Sequence, residues 1–403
     1  MPPHRGLVHP QKYDWRDSNV ELINSDLDHR IKYQSAATEP AWRNGVIGTT
    51  PGLYIWRIED FEVVAWPKEK YGNFHEGDSY IILQSEKVTS QDGDPEGDFN
   101  AQEEKDKLVH DIFFWLGNHT SLDEAGTAAY KTVELDEYLN GSAIQHRELQ
   151  SSPSDAFSIL FPRLKILRGG VKSGFTHVEI NQEAPHTDTL LRVFKCPSTV
   201  VGRNVVVHEV EPRWQSLDEE DVFVLDRGDK IWVWQGQKCS PMEKAGAAQV
   251  VNDLTLAKHV NVEVLAQCEA RSRVVVDYLG GEDVDFGTTF KCERPLVARD
   301  SRYGQRPKML WKLSDSGGEL TFELIKKGEN IGRQDLDGDD VFLLDSKSSI
   351  WVWEGKGASC AEKAMWLKVT QMYVRQHEDA ASLSVAKVVQ GSEGRGFWTA
   401  VEA

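Results

Sequence analysis

Three features are scarce in this 403-residue chain, and each shortage narrows what it can be. Cysteine is the first. Cys196, Cys239, Cys268, Cys292 and Cys360 form an odd, scattered set with no C-x-x-C pair. Such a set fits free thiols in a reducing compartment better than a disulfide framework or a zinc site. The sequons at Asn118-His119-Thr120 and Asn140-Gly141-Ser142 then read as chance matches. Long apolar runs are missing too: none approaches the roughly 18 residues that a bilayer span needs. The opening Met1-Pro2-Pro3-His4-Arg5 also lacks the apolar core of a signal peptide. A cytosolic protein that does not span a membrane is expected. Positive charge is the third shortage. With 46 Lys and Arg against 64 Asp and Glu, the formal net charge is −18. Such a surface gains nothing by counterion release on a phosphate backbone, so nucleic acid is not an expected partner. Anionic membranes are disfavoured in the same way, except where a local basic patch forms.

What is present is globular and repetitive. Hydrophobic residues make up 40% and charged residues 27%, an ordinary balance for folded domains, and the length suits about two to four of them. Thirteen tryptophans are many for one chain, and their positions mark an internal repeat. Asp221-Val-Phe-Val-Leu-Asp226 returns as Asp340-Val-Phe-Leu-Leu-Asp345, and Ile231-Trp-Val-Trp234 as Ile350-Trp-Val-Trp353. Met242-Glu-Lys-Ala245 returns as Ala361-Glu-Lys-Ala364, and the offset is always 119 positions (221 to 340, 234 to 353, 243 to 362). A fainter copy lies upstream in Gly77-Asp78-Ser79-Tyr80-Ile81-Ile82-Leu83, Ile112-Phe113-Phe114-Trp115 and Asp123-Glu124-Ala125. In every copy a glutamate falls nine residues after the strand tryptophan: Trp115 and Glu124, Trp234 and Glu243, Trp353 and Glu362.

Each copy reads as two apolar, β-branched and aromatic strands, then a long helix, then another strand. Asp226-Arg227-Gly228-Asp229 and Asp345-Ser346-Lys347-Ser348 are hairpin turns in the second and third copies, whereas residues 84–107 make a long polar excursion in the first. The helices open on Ser-x-x-Glu capping boxes at Ser121, Ser240 and Ser359, with Pro241 at a favourable first position. They end near Leu139, His259 and His377, and strands follow at 143–149, 261–265 and 384–389. Strands on both sides of one helix imply compact α+β domains. The expected organisation is an extension over 1–39 and repeats over 40–172, 185–282 and 305–403, with linkers near 172–188 and 280–306.

The stretch Pro51-Gly-Leu-Tyr-Ile-Trp-Arg57, followed by Tyr71-Gly-Asn-Phe74, Gly77-Asp78-Ser79-Tyr80 and Trp115-Leu-Gly-Asn118, resembles the first repeat of the gelsolin/villin superfamily. So do Asp123-Glu124-Ala-Gly126, Leu135-Asp136-Glu-Tyr-Leu-Asn-Gly141, Gln145-His-Arg-Glu148 and Gly169-Gly-Val-Lys-Ser-Gly-Phe175. The resemblance runs over about residues 40–403, and three repeats behind a leader with Tyr13-Asp-Trp-Arg-Asp-Ser-Asn19 and Ser25-Asp-Leu27 are similar to the severin/fragmin branch. It implies α+β repeats, each a central mixed β-sheet sandwiched between a long and a short helix. It also implies calcium-dependent severing of actin filaments and capping of their barbed ends, with nucleation as a further activity and capping without severing as the alternative. No enzymatic activity is implied. The implied partners are actin, as monomer and filament, and phosphoinositides, in the cytoplasm and cytoskeleton.

Calcium takes about six to eight hard oxygens. The resemblance assigns each repeat a site made of a strand aspartate, the carbonyl before it and a glutamate from the helix start. These are Gly77, Asp78 and Glu124 with the carbonyl of Val171, then Glu220, Asp221 and Glu243, then Asp339, Asp340 and Glu362. Asp300 is a candidate for the remaining ligand of the second. A further calcium shared with actin would take the Asp136 carboxylate and the carbonyls of Gly141 and Ala143. Actin would meet helix 122–139 through Tyr130 and Val133, with Ala129 allowing close approach and Asp136 beside them. Arg163, Lys165 and Arg168 would answer phosphoinositides, and Arg192, Lys195 and Arg203 the filament side.

Read from spacing alone, plainer accounts stay open. A capping-box glutamate needs no metal, Asp136 suits a solvated helix end, Tyr130 and Val133 suit the domain's own core, and the basic residues suit a solvated strand face. Asp92-Gly-Asp94-Pro-Glu96-Gly97 with Glu103 fits an EF-hand loop, but strands flank it and Pro95 interrupts it, so it reads as an acidic surface loop. A hydrolase built on the carboxylate pairs is disfavoured, because the pairs recur at equivalent positions and no Ser–His or Cys–His constellation stands out.

Overall fold

β-Branched and aromatic residues fit a pleated, buried surface, and the runs of them in each repeat pair in one constant order. In a computed structural model the described residues are 36–87, 108–171, 188–196, 204–257, 260–285, 287–296, 307–328, 330–377 and 383–402. The EF-hand-like segment 92–103, Arg203 and Asp300 lie outside them. The first repeat contains β1 (Gly52–Glu59), β2 (Glu62–Ala65), β3 (Asn73–His75), β4 (Ser79–Lys87), β5 (Leu108–Leu116), α1 (Leu122–Tyr138), β6 (Ile144–Leu149), α2 (Asp155–Leu160) and β7 (Arg163–Leu167). The second contains β8 (Thr189–Lys195), β9 (Val205–Val210), β10 (Val222–Asp226), β11 (Lys230–Gln235), α3 (Pro241–Ala257), β12 (Asn261–Ala266) and α4 (Arg273–Tyr278). The third contains β13 (Met309–Ser314), β14 (Thr321–Lys327), β15 (Val341–Asp345), β16 (Ser349–Glu354), α5 (Cys360–Gln376), β17 (Ser384–Val389) and α6 (Arg395–Glu402).

In the first repeat β1 runs antiparallel to β4, β4 antiparallel to β5, and β6 parallel to β5. The same order returns as β8, β10, β11, β12 and as β13, β15, β16, β17. A parallel neighbour demands a crossover, and the long helix of each repeat supplies it. Ser121, Ser240 and Ser359 each accept the amide of the glutamate three residues on, a cap that contributes about 1 kcal/mol. After α1, Asn140 and Gly141 take positive φ and turn the chain into β6.

Each sheet is covered on both faces, as the α+β sandwich requires. In the first repeat Ala128 and Leu135 of α1 pack on Ile81, Leu83 and Ile112, while Phe157 of α2 packs on Tyr80, Phe113 and Trp115. In the second, Ala247 and Val250 of α3 cover Val224 and Val233, and Val275 and Val276 of α4 cover Trp232 and Trp234. In the third, Tyr373 of α5 lies on Leu343 and Ile350, and Phe397 and Val401 of α6 on Trp351 and Trp353. The tryptophans that mark the repeat are therefore the short-helix side of each core.

The sheets also join the repeats, which the spacing did not foretell. β17 runs antiparallel along β6, with Val385 opposite Arg147, Ala386 opposite His146 and Lys387 opposite Gln145, giving a ten-stranded sheet. β7 pairs in parallel with β9 and carries β3 into a seven-stranded sheet with the second repeat. Unpaired strand edges are a liability, and two of the three equivalent strands that follow the long helices cover each other. The third, β12, ends the seven-stranded sheet, with Val262 and Val264 exposed. At the other end of the first repeat, Ala36 is fully buried in the core and Glu39 ion-pairs Lys131 of α1 at 2.7 Å.

His208 sits in the joint between the first two repeats, on β9 opposite Arg192, buried and with no hydrogen-bond partner on either ring nitrogen. Burial, with the Arg192 charge adding, holds it down at about 4 from an ordinary value of 6.5. The native state therefore binds fewer protons than the unfolded chain, so stability is lost as pH falls from about 6.5 towards 4, at roughly 1.4 kcal/mol per pH unit. The variant His208→Phe should unfold less steeply with acid over that window, as urea denaturation at pH 7 and pH 5 will measure. An unchanged pH slope would contradict this account.

Candidate functional site

Each repeat buries two carboxylates where the first hairpin strand meets the start of the long helix. In the first repeat these are Asp78, 0% exposed, and Glu124, 2% exposed. Asp78 Oδ1 accepts the Val171 amide at 2.6 Å, and Oδ2 accepts the Tyr80 hydroxyl at 3.1 Å and Arg57 Nη1 at 3.4 Å. The Gly77 amide donates to the Gly169 carbonyl at 2.8 Å. The expected residues Gly77, Asp78, Glu124 and Val171 are thus brought together, with Gly170 in a conformation that favours glycine. A Cβ there would fall 2.2 Å from Asp78 Oδ1. Glu124 Oε2 accepts the Thr120 hydroxyl at 3.2 Å, but Oε1 is buried without a partner. Burial raises both carboxyls, and the Asp78 charge raises Glu124 further. An orphaned buried oxygen beside a second carboxylate and loop carbonyls fits a hard divalent cation such as calcium. Among the described residues no three His, Cys, Asp or Glu side chains gather at metal-binding spacing, so backbone carbonyls would complete any such shell.

The second and third repeats place Asp221 with Glu243 and Asp340 with Glu362 in the same setting, all buried. Each of these carboxylates already has at least one donor. Asp221 meets Arg192 Nε at 2.5 Å and Arg294 Nη2 at 2.5 Å, and Glu243 meets Arg294 Nη2 at 3.4 Å. Asp340 meets Lys312 Nζ at 2.5 Å. Glu362 accepts the amides of Asp315 and Ser359 at 2.8 and 2.9 Å. The second pair, as arranged, does not fit a calcium ion. Glu220 and Asp339 precede the aspartates, as expected for carbonyl donors, and their amides turn back to Asp218 and Asp337.

Several residues escaped the reading from spacing. Arg57 lies opposite Tyr80, Arg192 opposite Phe223 and Lys312 opposite Phe342, in one register two residues beyond the aspartate. Each repeat therefore aims a basic side chain from its first strand at its aspartate. Arg192, expected at the filament side, is instead 1% exposed and fixed in this site, because the buried Asp221 demands a counter-charge. Lys195 stays exposed. Asp315 joins the third site through the Ser359 hydroxyl at 2.7 Å. Gly117, Gly236 and Gly355 each donate to the aspartate's carbonyl at 3.0 Å, and a Cβ on any of them would strike loop backbone within 2.4 Å. Their signal was available as a glycine two residues after the strand tryptophan in all three copies.

On α1, Leu122, Gly126, Tyr130 and Val133 fall on the exposed side and Ala129 is half-buried, while Glu124, Ala128, Thr132 and Leu135 face inward. Asp136 closes the helix on the buried side. Its Oδ1 accepts the Ala143 amide at 3.0 Å, its Oδ2 accepts Gln145 Nε2 at 2.7 Å, and its carbonyl accepts the Gly141 amide at 2.8 Å. Burial pushes Asp136 up to about 6 against the pull of Lys387 from the third repeat. Arg163, Lys165 and Arg168 lie on or beside β7, facing acidic residues of the second repeat. Arg163 pairs with Asp253 at 2.6 Å and Arg168 with Glu211 at 3.9 Å, and burial lowers Lys165.

Because Asp78 and Glu124 titrate above their ordinary range, the native state binds more protons than the unfolded chain across that interval, and stability in chelator falls as pH rises through it. The variant Glu124→Gln should flatten that fall and abolish any calcium-dependent rise in Tm at this site. Thermal unfolding at pH 5 and pH 8, with chelator or excess calcium, reads both effects. Wild-type behaviour in Glu124→Gln would refute the assignment.

The family profile described as Gelsolin repeat matches residues 60–158, 203–271 and 330–398. Gelsolin-like protein 1 of Lumbricus terrestris is 35% identical over 376 residues, which is 92% of this chain and 92% of that protein. Severin of Echinococcus granulosus is 36% identical over 364 residues, 89% of each chain. Gelsolin of Drosophila melanogaster is 34% identical over 89% of this chain but only 42% of its own length. With its repeated strand order, its buried carboxylate pairs and these relatives over nearly its whole length, the chain belongs to the gelsolin family.

Proposed function

We propose that this protein severs actin filaments and caps their barbed ends under the control of calcium, and that it catalyses no reaction. The reading is carried by the outer face of α1. Leu122 is 94% exposed, Tyr130 57% and Val133 36%, and with Gly126 they form an exposed ridge at helical spacing. An apolar helical ridge suits a partner's apolar cleft, and relatives named Severin and Gelsolin favour actin as that partner.

The residues divide the work along one rod. Asp78 and Glu124 anchor the first turn of α1 to the Gly77–Gly169 contact, and a calcium ion held there would add to the positive charge that Arg57 alone brings to this buried pair. Asp136, Gly141 and Ala143 lie at the far end of the ridge, where a cation shared with actin would be held. Lys387 and β17 of the third repeat now adjoin that end, so parting β17 from β6 uncovers it. Phosphoinositides would reach Arg163, Lys165 and Arg168 only by outcompeting Asp253 and Glu211. Cysteines that form no disulfide among the described residues suit the cytoplasm and its cytoskeleton. Among the described residues no helix is long and apolar enough to cross a membrane.

Dilution-induced depolymerisation of actin filaments, with and without calcium, tests the reading. Faster loss with calcium, and breaks along filaments under fluorescence microscopy, are expected. Halted end growth without breaks would leave capping alone, and no effect on filaments would overturn the proposal. Truncating the ridge with Tyr130→Ala should weaken actin binding by about 2 kcal/mol, roughly thirtyfold. A double variant, Arg147→Cys with Val385→Cys, places thiols opposite each other across β6 and β17. Oxidised, it should sever less than when reduced, and equal severing in both states would remove the joint from the mechanism.

A further inference from the structure

The second repeat departs from the first at its charged centre. Glu124 leaves one oxygen orphaned in the first repeat, whereas every carboxylate oxygen of Asp221 and Glu243 has a donor. Arg294 reaches Asp221 Oδ1 through Nε at 3.1 Å and Nη2 at 2.5 Å, and Glu243 Oε1 through Nη2 at 3.4 Å. One guanidinium therefore bridges both carboxylates. Asp221 Oδ2 takes Arg192 Nε at 2.5 Å, Glu243 Oε1 takes the Lys195 amide at 3.0 Å, and Glu243 Oε2 takes the Ser240 amide and hydroxyl at 2.7 and 2.9 Å. A guanidinium keeps its charge at any accessible pH, so a divalent cation and Arg294 cannot occupy the same gap. Among the described residues of the first repeat, the pair's only ion-pair partner is Arg57, at 3.4 Å from Asp78 and also paired with Glu59.

Arg294 does not come from the second repeat's sheet. It lies on the segment leading to the third repeat, and that segment is pinned along its length. The Cys292 amide donates to Asp218 Oδ2 at 2.9 Å, and Arg192 holds the carbonyls of Cys292 and Glu293 at 2.9 and 3.0 Å. Two residues beyond Arg294, Leu296 is 1% exposed within the core that includes Trp66 and Phe74 of the first repeat. The cation seat of the second repeat is thus tied to a strap that crosses to the first.

Resting on calcium binding by the first repeat, we infer that Arg294 is the resident cation of the second, seated between Asp221 and Glu243. Calcium and the interdomain strap then compete for one carboxylate pair. As long as Arg294 is seated, the pair is closed to an external cation. The second site is accordingly weaker for calcium than the first.

Calorimetric titration of the full chain with calcium chloride tests this. Arg294→Gln should add a calcium-binding event or tighten an existing one by at least about tenfold, because it removes a like charge beside the ion. The double variant with Glu243→Gln should lose that gain. Identical isotherms for wild type and a folded Arg294→Gln, judged by circular dichroism, would overturn the inference. If Arg294→Gln unfolds in chelator, calcium should refold it, and failure to refold overturns the inference as well. Calcium uptake that Glu124→Gln removes but Arg294→Gln leaves unaltered would sink this inference alone. No uptake by any variant would sink the calcium reading of the first repeat with it.

Discussion

Two carboxylates taken out of water side by side must be met by positive charge, and this requirement recurs three times in the chain. The desolvation penalty runs to several kcal/mol per ion, and an uncompensated partner raises it further. The three repeats meet it differently. Arg57 stands loosely by the first pair, two arginines clasp the second, and Lys312 holds the aspartate of the third. One fold thus presents three electrostatic states, and of the three pairs the first has a fully buried carboxylate oxygen with no hydrogen-bond partner.

The difference turns on what the helix-start glutamate does. In the second and third repeats its carboxylate folds back onto the amide of the capping serine, closing the box. In the first it turns to Thr120 and leaves Oε1 bare. The modest reading of Ser-x-x-Glu as a capping device is therefore sufficient for Glu243 and Glu362 and insufficient for Glu124. Around all three, the glycine after the strand tryptophan lets the aspartate loop lie directly on the hairpin, coupling the charged centre to the aromatic core beside it.

Much of this was legible in the chain. A fixed offset and the Trp-to-Glu interval located the strands, helices and carboxylates, since period and spacing are local properties that the sequence carries openly. The helix ends fell close to expectation because serine caps and the Asn140-Gly141 turn act over a few residues. The counter-ions were hidden. Arg57 and Arg192 lie 21 and 29 residues before their aspartates, so no constant interval betrayed them, and Arg294 arrives from a connection whose sequence does not repeat, although the Glu76–Leu167 and Glu219–Phe290 backbone contacts put it where Val171 stands in the first copy. The joining of β6 to β17 and of β7 to β9 was equally silent, because it depends on which edges remain bare once three sheets have folded. Arg192 was misplaced for the same reason: from sequence a strand arginine reads as surface, and only the buried Asp221 shows why it points inward.

An odd number of repeats has an arithmetic of its own. The strand after the long helix of each unit offers an open backbone edge, and two such edges cancel when β6 meets β17. The third has no sibling left. Among the described residues no strand pairs with the outer edge of β12, beside exposed Val262 and Val264, while the Lys230–Glu263 pair at 2.7 Å sets charge along the rim. Among the described residues the middle unit therefore carries the seam that the first and third units hide in each other.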